Sequence, residues 1–286
     1  MFGRREFLVE NGALEEYMGE GGDVTLPGDI RLISEGAFSN CGKVKAVTIP
    51  YRVSDIRARA FAGCAGIQRV DIPTTMITIG SHAFSGCSGL QSLEIPDSVT
   101  RIGWGAFENC TALEAIRLSA RMDQISDSLF YGCTSLEEVV LPAGIREIGA
   151  EAFYGCRNLR SVRLPAGLTR IGSSAFSMCA NLQSIWLPEG LESIGDGAFG
   201  NCGTLKKVYV PEGVSRIESY TFWNCKNLEK ITLPKSVAII EDGAFEDCPA
   251  LSICAPAGSY ATQYAKEHGI PAEAIDMRSE KTTDFN

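Results

Sequence analysis

Apolar and polar positions along this chain recur with a period of 23. Ten phenylalanines keep that spacing: Phe38, Phe61, Phe84, Phe107, Phe130, Phe153, Phe176, Phe199, Phe222 and Phe245. A cysteine follows each one three residues later, from Cys41 to Cys248, and no insertion interrupts the count. A fixed period of about 20 to 50 residues marks units that stack on one another, because one unit cannot bury its own apolar face. The pattern therefore predicts a solenoid of ten repeats.

Residues 182–204 show one repeat. Leu182, Ile185 and Leu187 precede Pro188, followed by Leu191, Ile194, Gly195, Ala198, Phe199 and Cys202. The alternation of Ile185 and Leu187 predicts a short strand with both side chains on one face. The pair recurs from Val24/Leu26 through Val139/Leu141 to Ile231/Leu233. Strands in equivalent positions of successive repeats run the same way, so they form a parallel sheet. Proline follows the strand in nine of ten repeats, Ser119 being the exception, and ends the ladder because it has no N–H to donate. The second pair, such as Leu191/Ile194, is expected in an extended or irregular segment on the opposite wall. Phe199 and Cys202, three apart, suit one face of a helical turn. Gly or Asn precedes the cysteine in eight repeats, where a left-handed turn end is expected, with Met178 and Asp247 as exceptions. Ser119, Ser126 and Leu129 make the repeat at the array's centre irregular.

Three segments follow. Residues 1–23 are expected to form an N-terminal hairpin cap, since Asn11-Gly12 separates two apolar stretches. Residues 24–253 form the solenoid. Residues 254–286 form a C-terminal cap helix, begun by Ser259 and stopped by Gly269 and Pro271, and a loose polar tail over 277–286.

Eleven cysteines raise the question of disulfides. Stacked equivalents lie about 4.8 Å apart, and parallel Cβ vectors at that spacing do not converge to the ~3.8 Å that a bridge needs. A ladder of reduced, buried thiols is the better reading.

The unit Leu-x-x-Val/Ile-x-Leu/Ile-Pro followed by Ile-Gly-x-x-Ala-Phe-x-x-Cys resembles the BspA-type (treponemal) leucine-rich repeat. The match is literal from Leu141-Pro142 through Ile148-Gly149 to Ala152-Phe153-Tyr154-Gly155-Cys156. The stretch Pro256-Ala257-Gly258-Ser259-Tyr260 to Gly269-Ile270-Pro271 resembles that family's C-terminal cap. The resemblance implies a curved leucine-rich-repeat solenoid of short parallel strands and helical turns, with the strands on the concave side. It also implies a bacterial or protist protein, often on the cell surface, whose relatives bind host matrix proteins or other bacteria.

An outward column lies between the two inward residues of each strand: Thr25, Thr48, Asp71, Glu94, Arg117, Val140, Arg163, Trp186, Tyr209 and Thr232. Val140, Arg163, Trp186 and Tyr209 bring apolar, aromatic and cationic groups to a face expected to be polar, with Arg160, Lys206 and Lys207 beside them. Such residue types are enriched at interface hot spots, which makes the set a candidate partner-binding patch. Cross-strand aromatics also stabilise a sheet by about 0.2–1 kcal/mol per pair, so strand packing alone is the competing reading. Tyr131, Tyr154, Trp223 and Trp104 form an outer aromatic set, read as packing under loops or as a lattice contact.

A net charge of −9 argues against nucleic acid or anionic lipid as the main partner. No apolar run approaches the roughly 20 residues of a membrane span. Met1-Phe2-Gly3-Arg4-Arg5-Glu6 has no apolar leader core, so the sequence alone suggests the cytoplasm and the resemblance the cell surface. With two histidines, His82 and His268, and no metal, phosphate-loop or nucleophile motif, neither enzyme activity nor a cofactor is expected. The expected function is a protein-binding module: a recognition or adhesion surface if exported, a scaffold if retained.

Overall fold

A strand opens each coil because its central residue is β-branched or Leu and inward, while its neighbours are mostly polar. The computed structural model describes residues 6–276. The terminal residues 1–5 and 277–286, with the polar tail expected there, lie outside the described residues. Eleven short strands, from Gly22–Thr25 through Glu138–Val140 and Ser161–Arg163 to Ser252–Ala255, make the first wall. They pair in parallel one repeat apart, Val139 with Val162 and Val208 with Ile231, except between Arg69–Asp71 and Ser92–Glu94 and between Ala115–Arg117 and Glu138–Val140. The fold is a parallel β-solenoid.

After the proline the chain turns within three residues, Leu191 N–H donating to the Pro188 carbonyl at 3.0 Å. Ser119 makes the same turn without proline, Met122 N–H reaching its carbonyl at 3.3 Å. The fully buried Ser119 hydroxyl donates to the Val99 carbonyl at 2.6 Å. The segment expected to be extended or irregular is a second parallel wall of two-residue strands, such as Glu147–Ile148 against Arg170–Ile171.

The Phe-Cys segment is not a helical turn, which corrects that expectation. Two residues per coil are left-handed, and no helix passes through such residues. One is the residue before the cysteine in all ten repeats, including Met178 (φ 60°) and Asp247 (φ 57°). The other, two residues before the phenylalanine, is Gly36, Gly105, Gly197 or Gly243 in four coils and Arg59, His82, Ser128, Glu151, Ser174 or Tyr220 in six. The backbone between them turns its amides toward the next coil instead. Nine consecutive bonds, from Phe38 N–H to Ala60 O through Phe222 N–H to Ala244 O, span 2.7–3.1 Å without interruption. This is a third hydrogen-bonded wall.

Between the walls the phenylalanine rings stack at 4.8–5.8 Å, Phe38 through Phe222 being fully buried. Asn11 and Gly12 turn an antiparallel hairpin of Phe7–Glu10 and Ala13–Tyr17. Its Tyr17 ring stacks on Phe38 at 4.6 Å. At the other end Ser259 Oγ accepts from Thr262 N–H at 3.4 Å and starts the helix Tyr260–Glu267. Tyr264 of that helix packs edge-on against Phe245 at 6.3 Å.

The second wall is interrupted twice. Arg101–Ile102 does not pair with Gln124–Ile125, nor Ser193–Ile194 with Arg216–Ile217. In five coils a glycine follows the strand (Gly80, Gly103, Gly149, Gly172 and Gly195), and a Cβ there would stand 2.5 Å from Ser173 N at Gly195 and 2.4 Å from Ser81 N at Gly103. Ser126 and Glu218 occupy that position at the two interruptions. Ser34, Arg57 and Glu241 also occupy it, yet their amides still bond the preceding unit at 2.9 Å. A side chain at this position permits the wall to open and does not by itself force it.

Candidate functional site

The outward column divides into two halves. In the first, charges satisfy one another: Arg69 pairs with Asp71 of its own strand at 3.4 Å, and Arg117 reaches across coils to Glu94 at 3.5 Å and Asp97 at 3.2 Å. The Ala120 N–H and the Arg117 guanidinium together hold the Asp97 carboxyl below the usual carboxylate range.

The second half begins at Val140, whose side chain is 69% exposed and in register with the exposed Arg163. A shallow depression of about 650 Å³ beside it is lined by Glu137, Glu138, Arg160 and Ser161 among others. Arg160 is tied to Glu137 at 3.7 Å. Trp186 is 42% exposed, and its ring lies nearly parallel to Tyr209, 6.2 Å away at 9°. Lys207 sits in register between Ser184 and Lys230.

One candidate departs from its expected place. Tyr209 is 3% exposed and offers almost no contact surface, although its position alternates outward. Trp186 covers one side of the column there, and Thr232, its register partner on the other side, is buried as well. A large ring between close strand neighbours is hidden by them, which alternation alone does not reveal. The structure thus brings Val140 beside Arg163 and Trp186 beside Tyr209, with Val140, Arg163 and Trp186 accessible.

No cysteine forms a disulfide among the described residues, and nine of the repeat cysteines follow one rule. From Cys64 to Cys248 each thiol donates to the phenylalanine carbonyl of the preceding coil, nine bonds of 2.8–3.2 Å. Burial pushes Cys64 and Cys202 up to about 12 and raises Cys156 and Cys179 well above the ordinary thiol range. Such thiols stay protonated at neutral pH and are neither nucleophiles nor metal ligands. Among the described residues no group of three His, Cys, Asp or Glu is placed to hold a metal ion. No helix there is long and apolar enough to cross a membrane.

On the outer side, Tyr131 and Tyr154 are half-buried and stack at 4.8 Å, and Tyr220 meets Trp223 edge-on at 6.4 Å. Sequence reasoning passed over a further constellation: the His82 ring meets Trp104 at 4.1 Å and 73°, and its Nδ1 stands 2.9 Å from Glu108 Oε2. These residues lie 22 and 26 apart, so only the 23-residue register brings them together.

Stacked parallel strands, phenylalanine and thiol ladders and paired end elements define a leucine-rich-repeat solenoid. The family described as BspA type leucine rich repeat region matches in six copies over residues 21–137 and 123–252, and the chain belongs to it. It is similar to a leucine-rich repeat protein from Bacteroides ovatus ATCC 8483, at 29% identity over 89% of this chain and 80% of that one, with a TM-score of 0.60. It is also similar to the T. pallidum leucine rich repeat protein TpLRR, at 30% identity over 59% of this chain and 82% of that one, with a TM-score of 0.58. Comparison with curated proteins finds no match. Repeats of this class are generally non-enzymatic and typically serve in protein interaction.

Proposed function

We propose that the chain is a non-enzymatic recognition module that takes a protein ligand on the sheet face centred on Val140, Arg163 and Trp186, with Arg160 and Lys207 at its rim. Residues 6–23 and 254–276 serve as end covers for the solenoid. The observation that carries this reading is the pair of exposed apolar side chains, Val140 and Trp186, flanking Arg163 on a wall whose other half consists of self-paired charges. A large apolar side chain left in water on a rigid sheet gains free energy when a partner covers it. Tyr209 supports Trp186 from beneath and is not itself a contact residue.

Adhesion to host or neighbouring cells is the finer form of this proposal, in keeping with the family resemblance; an internal scaffold is the second form. The test is binding of the full chain to purified extracellular-matrix proteins by surface plasmon resonance, beside Val140→Asp and Trp186→Ser. Loss of at least tenfold in affinity in both variants, with unchanged thermal melting, is the expected result. Binding that persists in both removes this face from consideration. A chain that binds no matrix protein but retains a partner from its own cytosol, with the same variant sensitivity, supports the scaffold form.

A further inference from the structure

The first interruption of the second wall opens a cleft of about 950 Å³, lined among others by Arg101, Trp104, Arg121, Asp123, Gln124 and Asp127. In the coils on either side the amide ladder is closed. Thr100 N–H reaches Ile77 O at 3.0 Å and Gly103 N–H reaches Ile79 O at 2.8 Å. Arg146 N–H reaches Asp123 O at 2.9 Å and Gly149 N–H reaches Ile125 O at 2.8 Å. Between them, the amides of Asp123 and Ser126 have no backbone partner among the described residues. Every ladder amide on this wall points back at the preceding coil, so these two face the cleft. On this wall the Ser126 hydroxyl bridges it, donating to Ile102 O at 2.5 Å.

The side chains are also uncommitted. Arg101, Arg121, Asp123 and Gln124 make no side-chain hydrogen bond or ion pair among the described residues. Elsewhere on this wall Arg170 pairs with Glu147 at 3.5 Å, and Arg216 with Glu218 at 3.1 Å and with Glu241. At the rim Trp104 is 54% exposed yet held in place, because His82 meets its ring and is itself tied to Glu108.

We propose that this cleft binds a neutral oligosaccharide, an activity distinct from protein recognition on the first wall. A fixed indole face offers a negative quadrupole to the polarised C–H groups of a sugar ring. Guanidinium, carboxamide and carboxylate groups supply the planar paired donors and acceptors that meet adjacent hydroxyls. Two guanidinium groups stand with three carboxylates, Asp123, Asp127 and Glu147, the last already paired with Arg170, so an anion would meet carboxylates and a cation would meet arginines. The cleft volume is at the upper end for small-ligand sites, which accommodates a short glycan. An extended peptide fits less well: strand addition needs a free run of edge groups, and here two amides are open and the Ile102 carbonyl is taken.

The test applies the full chain to a printed array of neutral, sialylated and sulfated oligosaccharides. The expected result is signal on neutral glycans that falls at least tenfold in Trp104→Ala and in Arg121→Ala and is unchanged in Trp186→Ser. Arg121 touches no other side chain through a polar bond, so its variant keeps the test valid if removing Trp104 disturbs the fold, as judged by thermal melting. Absence of neutral-glycan signal, signal confined to acidic glycans, or signal that survives both cleft variants overturns the proposal. So does capture of extended peptides from a random-sequence library with the same variant sensitivity. Because Trp186→Ser separates the two walls, failure here leaves the protein-recognition proposal standing.

Discussion

The Cys156 thiol donates to the Phe130 carbonyl at 3.2 Å, and the same oxygen accepts the Cys133 N–H at 3.1 Å. One carbonyl therefore closes its own turn with one lone pair and receives the next coil with the other. Alanine would fill part of this space but could not donate, which accounts for cysteine as the repeated choice.

This arrangement fixes how stability depends on pH. Folded thiols such as Cys64 and Cys202 titrate near 12, above the unfolded value of about 8.5. A group whose folded pKa is raised contributes stability that is complete below the unfolded pKa and disappears as pH climbs toward the folded one. The urea midpoint is therefore expected to be flat up to about pH 8 and to fall steeply from about pH 8.5 to 10.5, each protonated thiol adding ~1.4 kcal/mol per pH unit to the slope. A midpoint unchanged across that interval would contradict the buried ladder. Under native conditions at pH 8, a thiol reagent followed by mass spectrometry is expected to mark Cys41 and Cys248 ahead of the nine buried cysteines.

Phe153 has a stacked ring on both sides, Phe130 at 5.3 Å and Phe176 at 5.1 Å. Phe245 has Phe222 on one side and the edge of Tyr264 on the other. Phe153→Ala is expected to cost about 3–5 kcal/mol, and Phe245→Ala less, in denaturant titrations. Equal losses would mean that stacking depth does not govern stability.

Gly195 and Gly203 look alike in sequence and differ in space. A Cβ at Gly195 would press on the Ser173 backbone at 2.5 Å, whereas nothing lies within 4 Å of one at Gly203. Gly195→Ala is expected to lower the melting temperature by several degrees, and Gly203→Ala to leave it within about one degree.

Much of this architecture was legible in the chain. The period, the inward strand pairs, the proline stops and the Phe-Cys column need only residue type and spacing. The first left-handed column was readable where Gly or Asn marks it. The second was not, because six of its ten members are ordinary residues such as Arg59, Glu151 and Tyr220, forced there by the interlocking of three walls. Tyr209 misled for a related reason: alternation gives direction, while burial depends on the size of neighbours in other repeats. The cleft had a trace in Ser119, Ser126 and Leu129, but irregular residues mark a place and say nothing of what opens there.

The left-handed residue at Met178 offers a direct check. A side chain without a local hydrogen bond at φ 60° carries a steric cost of about 1–2 kcal/mol that Asn bears more easily. Met178→Asn is expected to raise stability by roughly 0.5–1 kcal/mol in urea titration. A loss instead would mean that packing of the Met178 side chain outweighs backbone strain.

The uninterrupted wall from Phe38 to Ala244 has a mechanical corollary. It works as a spine along one edge of the stack, while the wall notched after Ile102 and after Ile194 has gaps in its bonding. A bending load would spread those notches like jaws while every rung of the spine stayed intact. Compliance is thus built in at the notches rather than along the spine, and the notch after Ile102 is also the place where a guest could be gripped.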